Sequence, residues 1–232
     1  MQILYENQHR ILCVKAPGLL SEDAPGKPNL PALLREHTSG EIYPIHRLDK
    51  ETGGVMVYAK TSREAAVLSK AVQENALVKE YLAILCAPPE HPEGVLEDLL
   101  FHDRNKNKTY AVQRERRGVK KAKLAYRVLA EKDGRTLVQV RLFTGRTHQI
   151  RAQFSSRRCP LLGDRRYGGD AADSLGLWAF RLTLPGGCYT ALPEPTGVWE
   201  SFAETLETMD NDPNLKILPL CPVGATCGRP LK

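Results

Sequence analysis

The stretch His46-Arg47-Leu48-Asp49-Lys50-Glu51-Thr52-Gly53-Gly54 places one carboxylate, Asp49, among basic residues just ahead of a glycine pair and the apolar run Val55-Met56-Val57-Tyr58-Ala59. A carboxylate with cations a few ångströms away stays ionised, as a nucleophile or general base must. The apolar run has the length and β-branched content of a buried strand, and two glycines permit a tight approach. Asp49 is therefore expected on a loop fixed by a rigid strand. Taken alone, an aspartate amid Lys and Arg is more often a solvated loop residue.

Further motifs lift Asp49 above that background. His46-Arg47-Leu48-Asp49 followed by Thr52-Gly53 resembles the HRLDxxTSG signature of the RluA family of RNA pseudouridine synthases. Lys79-Glu80-Tyr81 resembles that family's KxY element, Thr144 to Arg151 its TGRTHQIR element, and Gly163-Asp164 with Tyr167-Gly168 its GDxxYG element. The four motifs occur in the family's order over about 125 residues.

The resemblance implies an α+β protein with a mixed, mostly antiparallel central sheet and flanking helices, the pseudouridine synthase fold. Residues 1–209 are expected to form the catalytic domain and 210–232 a C-terminal tail of unassigned role. The implied activity is that of an isomerase: it breaks the ribose bond to uracil N1, turns the base and rejoins it through carbon 5, without metal, redox carrier or nucleotide cofactor. By resemblance Asp49 either attacks the sugar or ring or removes a sugar proton, Tyr81 packs on the target base, and Arg151 pairs with Asp49. A guanidinium can hold a carboxylate bidentately and keep it charged. His46, Arg47, Lys79, Arg146 and Ile150 are expected around the substrate, with Ile150 walling the pocket and Arg146 touching phosphate or scaffold. His46 and His148 read as hydrogen-bonded scaffold residues, not as acids, bases or metal ligands.

Composition bounds the alternatives. The chain has 232 residues, 42% of them apolar and 26% charged, which is enough for one sizeable core or two small lobes. No apolar run approaches the roughly 18 residues of a membrane span, and the N-terminus lacks a signal-like segment, so a cytoplasmic protein away from membranes is expected. The six cysteines lack zinc-ligand or disulfide-framework spacing. The net charge is +6. Arg104, Lys106, Lys108, Arg114, Arg116, Arg117, Lys120, Lys121 and Lys123 stand against Glu115 alone, so this segment carries +8 and leaves the remainder slightly acidic. Phosphate binding is the natural use of such a run, and structured RNA, ribosomal or transfer, is the expected partner of a monomeric chain.

The elements that must position these groups can be read in part. Ile3-Leu4-Tyr5 and Arg10 to Lys15 suggest an opening hairpin, which resembles the family's own and leaves no place for the small RNA-binding domain that precedes the catalytic domain in some relatives. Lys15-Ala16-Pro17-Gly18 departs from the family's Lys-Pro-x-Gly. Leu30 to Glu36 is a helix candidate. Thr61 and Glu64 have capping-box spacing, predicting a helix over about Ser62 to Glu74. Val78 to Leu85 reads as a strand with Lys79 and Tyr81 on one face. Leu124 to Leu129 and Leu137 to Leu142 should pair around Asp133-Gly134, with the basic segment in and beside that sheet. A short helix is expected over Thr147 to Ser155, N-capped at or near Thr147, and a closing strand over Leu177 to Leu182. Arg158 and Gln153 replace residues that the family tends to have as Gly and His.

Two other classes compete. One is a catalytically inactive RNA-binding protein of the same fold, against which the retained Asp49, Tyr81 and Arg151 weigh. The other is a glycoside hydrolase, which needs two flanking carboxylates; Glu51 is a poor second.

Overall fold

The computed structural model describes residues 1–211. In chain order the elements are β1 (Gln2–Glu6), β2 (Arg10–Lys15), α1 (Leu30–Thr38), β3 (Tyr43–Pro44), β4 (Gly53–Ala59), α2 (Ser62–Gln73) and β5 (Val78–Leu85). There follow β6 (Glu93–Asp103), β7 (Lys108–Val112), β8 (Val119–Lys132), β9 (Arg135–Leu142), α3 (Gln149–Ser155), β10 (Leu177–Leu184), β11 (Gly187–Thr190) and α4 (Ala203–Asp210), with 3-10 turns at Arg165–Tyr167 and Gly197–Phe202. The protein is α+β, with mixed and mostly antiparallel strand pairing. The described residues divide into two compact units, Met1–Lys79 with Trp178–Pro193, and Glu80–Leu177 with the described residues from Glu194.

In the first unit β4 is the central strand, and all seven of its residues are buried. It runs antiparallel to β2, from Arg10 opposite Ala59 to Lys15 opposite Gly54, and parallel to β10 at Trp178 opposite Gly53 and Ala179 opposite Gly54. The strand begins at Gly53, two residues earlier than its apolar run suggests. The glycines explain this: a Cβ on Gly53 would overlap the Trp178 ring, and one on Gly54, at φ 122°, would overlap the Ala179 backbone. Leu12, Val55, Val57, Leu68, Ala71 and Leu182 form the core beneath. Helix α2 covers it because its apolar residues recur at helical spacing and its start is fixed by Thr61, whose hydroxyl accepts the Glu64 amide at 3.2 Å. Glu64 itself turns to Arg10, at 2.6 Å.

In the second unit the strand order is β5-β9-β8-β6-β7. Strands β8 and β9 form the expected hairpin, closed by Asp133 and Gly134 at φ 53° and 71°, the left-handed pair that a tight two-residue hairpin turn demands. The basic segment runs from the β6–β7 turn through β7 and a short connection into β8. Its first part closes the β6–β7 hairpin and its last part lies on β8, which is 14 residues long and pairs with β6 from Glu93 opposite Arg127 to Phe101 opposite Val119. Strand β6 was not legible in sequence, where Glu97-Asp98 interrupts the apolar pattern. Helix α3 starts at Gln149, two residues later than the expected Thr147, with its N-cap at the neighbouring His148 and with no side-chain capping bond. Arg158 holds φ 64°, the left-handed region where the family's glycine costs least. Gln153 is fully buried and donates to Leu96 O and Asp98 Oδ2 at 3.1 and 2.8 Å.

The close crossing of β4 and β10 makes a direct prediction. Gly54→Ala, which adds both a clash and an unfavourable φ, is expected to destabilise the fold by about 2–4 kcal/mol, measured as the fall in unfolding free energy in urea.

Candidate active site

Asp49 lies in the loop between β3 and β4, half-buried, on a tight turn in which the Thr52 amide donates to Asp49 O at 3.1 Å. The loop is anchored from beneath by Lys15, a fully buried ammonium that donates to Ala16 O, Leu19 O and Lys50 O at 3.1, 2.8 and 3.1 Å. The Gly18 amide adds a fourth contact by donating to Lys50 O at 2.8 Å. Burial pulls the Lys15 pKa down to about 8, against the opposing pull of the Glu51 and Asp49 carboxylates. The carbonyl one residue past Asp49 is thus pinned by two donors. Ser21 pins the other side: its hydroxyl donates to Leu48 O at 2.9 Å and accepts the Leu48 amide at 3.2 Å.

His46 belongs to the same loop. Its Nε2 accepts the Val57 amide of β4 at 3.3 Å, which assigns the ring proton to Nδ1. Nδ1 is buried and has no hydrogen-bond partner among the described residues. Burial, reinforced by the Lys79 charge, pushes the His46 pKa down to about 3, so the ring is neutral. That fits a scaffold histidine. Lys79, half-buried on β5, is itself pulled down by burial. Arg47 is exposed and pairs at 3.2 Å with Glu22.

The second unit carries Tyr81, Arg146, Ile150 and Arg151. Tyr81, on β5, is 5% exposed, and Ile150, in the first turn of α3, is 4% exposed. Arg146 is committed to scaffold through Nε, which donates to Lys121 O at 2.9 Å. Arg151 is 5% exposed, and its Nε and Nη2 donate to Asp164 Oδ2 and Oδ1 at 2.7 and 2.9 Å. Its guanidinium also lies over the Tyr167 ring, 5.1 Å from the centroid. A buried carboxylate and an aromatic face therefore fix its plane.

Asp164 and Tyr167 were not singled out from sequence, although both stand in the GDxxYG element. Lys15 was likewise noted only as the end of a strand and the start of a turn. No ordinary spacing rule joins Lys15 to Lys50 or Arg151 to Asp164, and the family motifs pointed Arg151 to Asp49 instead. Buried thiols offer no competing nucleophile, since burial drives Cys13 up to about 12 and Cys159 up to about 11. Among the described residues no group of three or more His, Cys, Asp or Glu side chains could hold a metal ion, and no helix is long and apolar enough to cross a membrane. Cys221 and Cys227, like most of the expected tail, lie outside the described residues.

Comparison with known proteins places the chain in a family. Residues 9–156 match the family described as RNA pseudouridylate synthase. The chain belongs to the RluA family of RNA pseudouridylate synthases. Among relatives of that family, ribosomal large subunit pseudouridine synthase D of Nitrosomonas europaea is 31% identical over 244 residues, covering 94% of this chain and 67% of its own. The protein of the same name from Xylella fastidiosa is 32% identical over 176 residues, covering 73% of this chain and 52% of its own. The chain thus spans only about half to two thirds of the length of these relatives. The structure resembles human RNA pseudouridylate synthase domain containing 4, with a TM-score of 0.72 at 24% identity, covering 89% of this chain and 93% of that one. It resembles domain containing 1 with a TM-score of 0.70 at 21% identity, covering 91% and 95%. These likenesses establish the shared fold.

Two outcomes test the geometry. Asp164→Ala leaves the Arg151 charge buried without the carboxylate that binds two of its nitrogens, and is expected to cost about 3–5 kcal/mol of unfolding free energy. His46 has a folded pKa far below its unfolded value near 6.5, so its contribution is present above that value and is lost as pH falls towards 3. Between pH 7.5 and 5 the parent is expected to lose up to about 2 kcal/mol more stability than His46→Gln does, as read from urea unfolding at the two pH values.

Proposed function

We propose that this protein is an RNA pseudouridine synthase that isomerises specific uridines in structured RNA, with Asp49 as its catalytic carboxylate. The strongest support is the family match over residues 9–156, which takes in Asp49, Tyr81 and Arg151 together. Arg151, oriented by Asp164, is assigned by the family motif as the cationic partner of Asp49. Tyr81 packs on the uracil, where stacking contributes roughly 1–3 kcal/mol. Ile150 walls the pocket, and Arg47, Lys79 and Arg146 add positive charge around it. The reaction conserves its atoms: the bond from ribose C1′ to N1 breaks, one from C1′ to C5 forms, C5 gives up a proton and N1 takes one. The target uridine must be flipped or already exposed, because the scissile bond is inaccessible in a stacked helix.

RNA is held chiefly by the basic segment. Arg104, Lys106, Arg114, Arg116, Arg117, Lys120 and Lys121 are exposed, while Lys108 and Lys123 are half-buried. Tyr110 is 37% exposed, with Lys108 Nζ 5.7 Å from its ring centroid, and Arg116 lies 4.7 Å from the Phe101 ring centroid. Charge interleaved with aromatic faces suits a folded nucleic acid. Large-subunit ribosomal RNA is the first substrate to try, given the names of the relatives, and transfer RNA the second.

The test is pseudouridine mapping of total RNA from cells with and without the protein, and from cells carrying Asp49→Ala. Loss of the same site in the deletion and in the mutant is the expected result. Purified parent that binds unmodified transcripts but converts no uridine would instead describe an RNA-binding protein of this fold.

A further inference from the structure

The groups that fix Arg151 and the groups that fix the β6–β7 hairpin meet on one side chain, Tyr167. The Arg151 guanidinium lies over the Tyr167 ring, and Asp164, which binds that guanidinium, is three residues away on the same turn. From the hairpin, the Thr109 amide of β7 donates to the Tyr167 phenolic oxygen at 2.7 Å, and Lys108 Nζ stands 5.2 Å from the ring centroid. The same oxygen shares a hydrogen bond with His148 Nδ1, 2.9 Å away. His148 is the N-cap of α3, the helix that carries Arg151, and holds φ 52°.

A second set of bonds ties the same parts together. The Thr109 hydroxyl donates to Thr147 O at 2.8 Å and takes a bond from His102 Nδ1 at 3.0 Å. Arg166, adjacent to Tyr167, donates through Nη1 to Lys106 O and Asn107 O, both at 3.0 Å, at the turn of the hairpin. Ser155 at the end of α3 donates through its hydroxyl to Tyr167 O at 2.7 Å. Tyr167 is 6% exposed, and burial raises its pKa, so the phenol keeps its proton.

We propose that Tyr167 is a positioning residue that couples the basic β6–β7 hairpin to Arg151, so that RNA seated on the hairpin orders the helix that carries the arginine. The inference rests on the reading that this protein acts on RNA. The path is short: hairpin backbone, one phenol, then a guanidinium and the N-cap that opens its helix. A hairpin displaced from Tyr167 also displaces the ring beneath Arg151 and unlatches His148. A hairpin clamped by phosphates does the reverse, which makes substrate binding a condition for a correctly oriented arginine.

Tyr167→Phe keeps the ring and deletes the hydroxyl. Hydrogen exchange of the full chain, with and without an in-vitro-transcribed stem-loop RNA bearing loop uridines, reads the coupling directly. RNA is expected to slow exchange across residues 99–112 in both proteins, and to slow it across α3 about fivefold in the parent but less than twofold in the variant. Equal protection of α3 in both, or none in the parent, overturns the proposal. On an RNA modified in an Asp49-dependent manner, Tyr167→Phe is expected to lower kcat about tenfold with KM within twofold; an unchanged kcat, or a rise in KM alone, overturns it. Arg166→Ala, an exposed change that releases the hairpin turn, should give the same loss of α3 protection and serves if Tyr167→Phe does not fold. A parent that transmits protection but converts no uridine removes the synthase reading and leaves the coupling; one that converts uridine without transmitting protection does the opposite.

Discussion

A guanidinium as deeply buried as that of Arg151 must have its charge answered where it stands, because a lone ion out of water costs several kcal/mol. Asp164 answers it with two short bonds, and much of the second unit follows from keeping those groups opposed. The turn that carries Asp164 folds back on itself, with the Gly163 amide donating to Asp170 O at 2.9 Å and the Gly169 amide to Asp164 O at 2.9 Å. Gly163 holds φ 77° and lies so close to Ser174 O that a Cβ would overlap it. The GDxxYG element is thus a device for presenting one carboxylate and one aromatic face to one arginine.

The Asp49 loop solves a related problem by other means. A loop can carry a group whose position matters only if a rigid scaffold holds it, since its own backbone lacks the ladder of a sheet. Here Lys15 and the Gly18 amide both hold Lys50 O, and Ser21 makes two bonds to Leu48, so the loop backbone is tied on either side of Asp49. The loop then enters β4 through glycines that let the strand press against β10. Position is set by backbone anchors on either side of the carboxylate.

Charge separates into two kinds in this molecule. Buried cations such as Lys15 and Arg151 are spent on geometry. The largely exposed run from Arg104 to Lys121 faces solvent, and its few pairings, such as Lys121 with Glu115 at 3.5 Å, are surface contacts worth little. Tyr167 is where the two kinds come within reach of each other.

The sequence by itself determined what is local or written in a motif. Thr61 before Glu64 specified the start of α2, Asp133-Gly134 the β8–β9 turn, and alternation the opening hairpin, because each depends on residues a few positions apart. The ordered motifs named the family and pointed to Asp49 and Arg151, and a count of charges located the basic segment. Tertiary structure alone decided the rest. Strand β6 exists because β8 pairs with it despite Glu97 and Asp98, and His148 takes a left-handed conformation at the start of α3 where capping rules favoured Thr147. Lys15 meets a carbonyl 35 residues away, and Arg151 a carboxylate 13 residues away. Such partners are chosen by burial, which forces each charge and each carbonyl to find whatever complementary group the folded chain brings to it, and no spacing in the linear sequence records that choice.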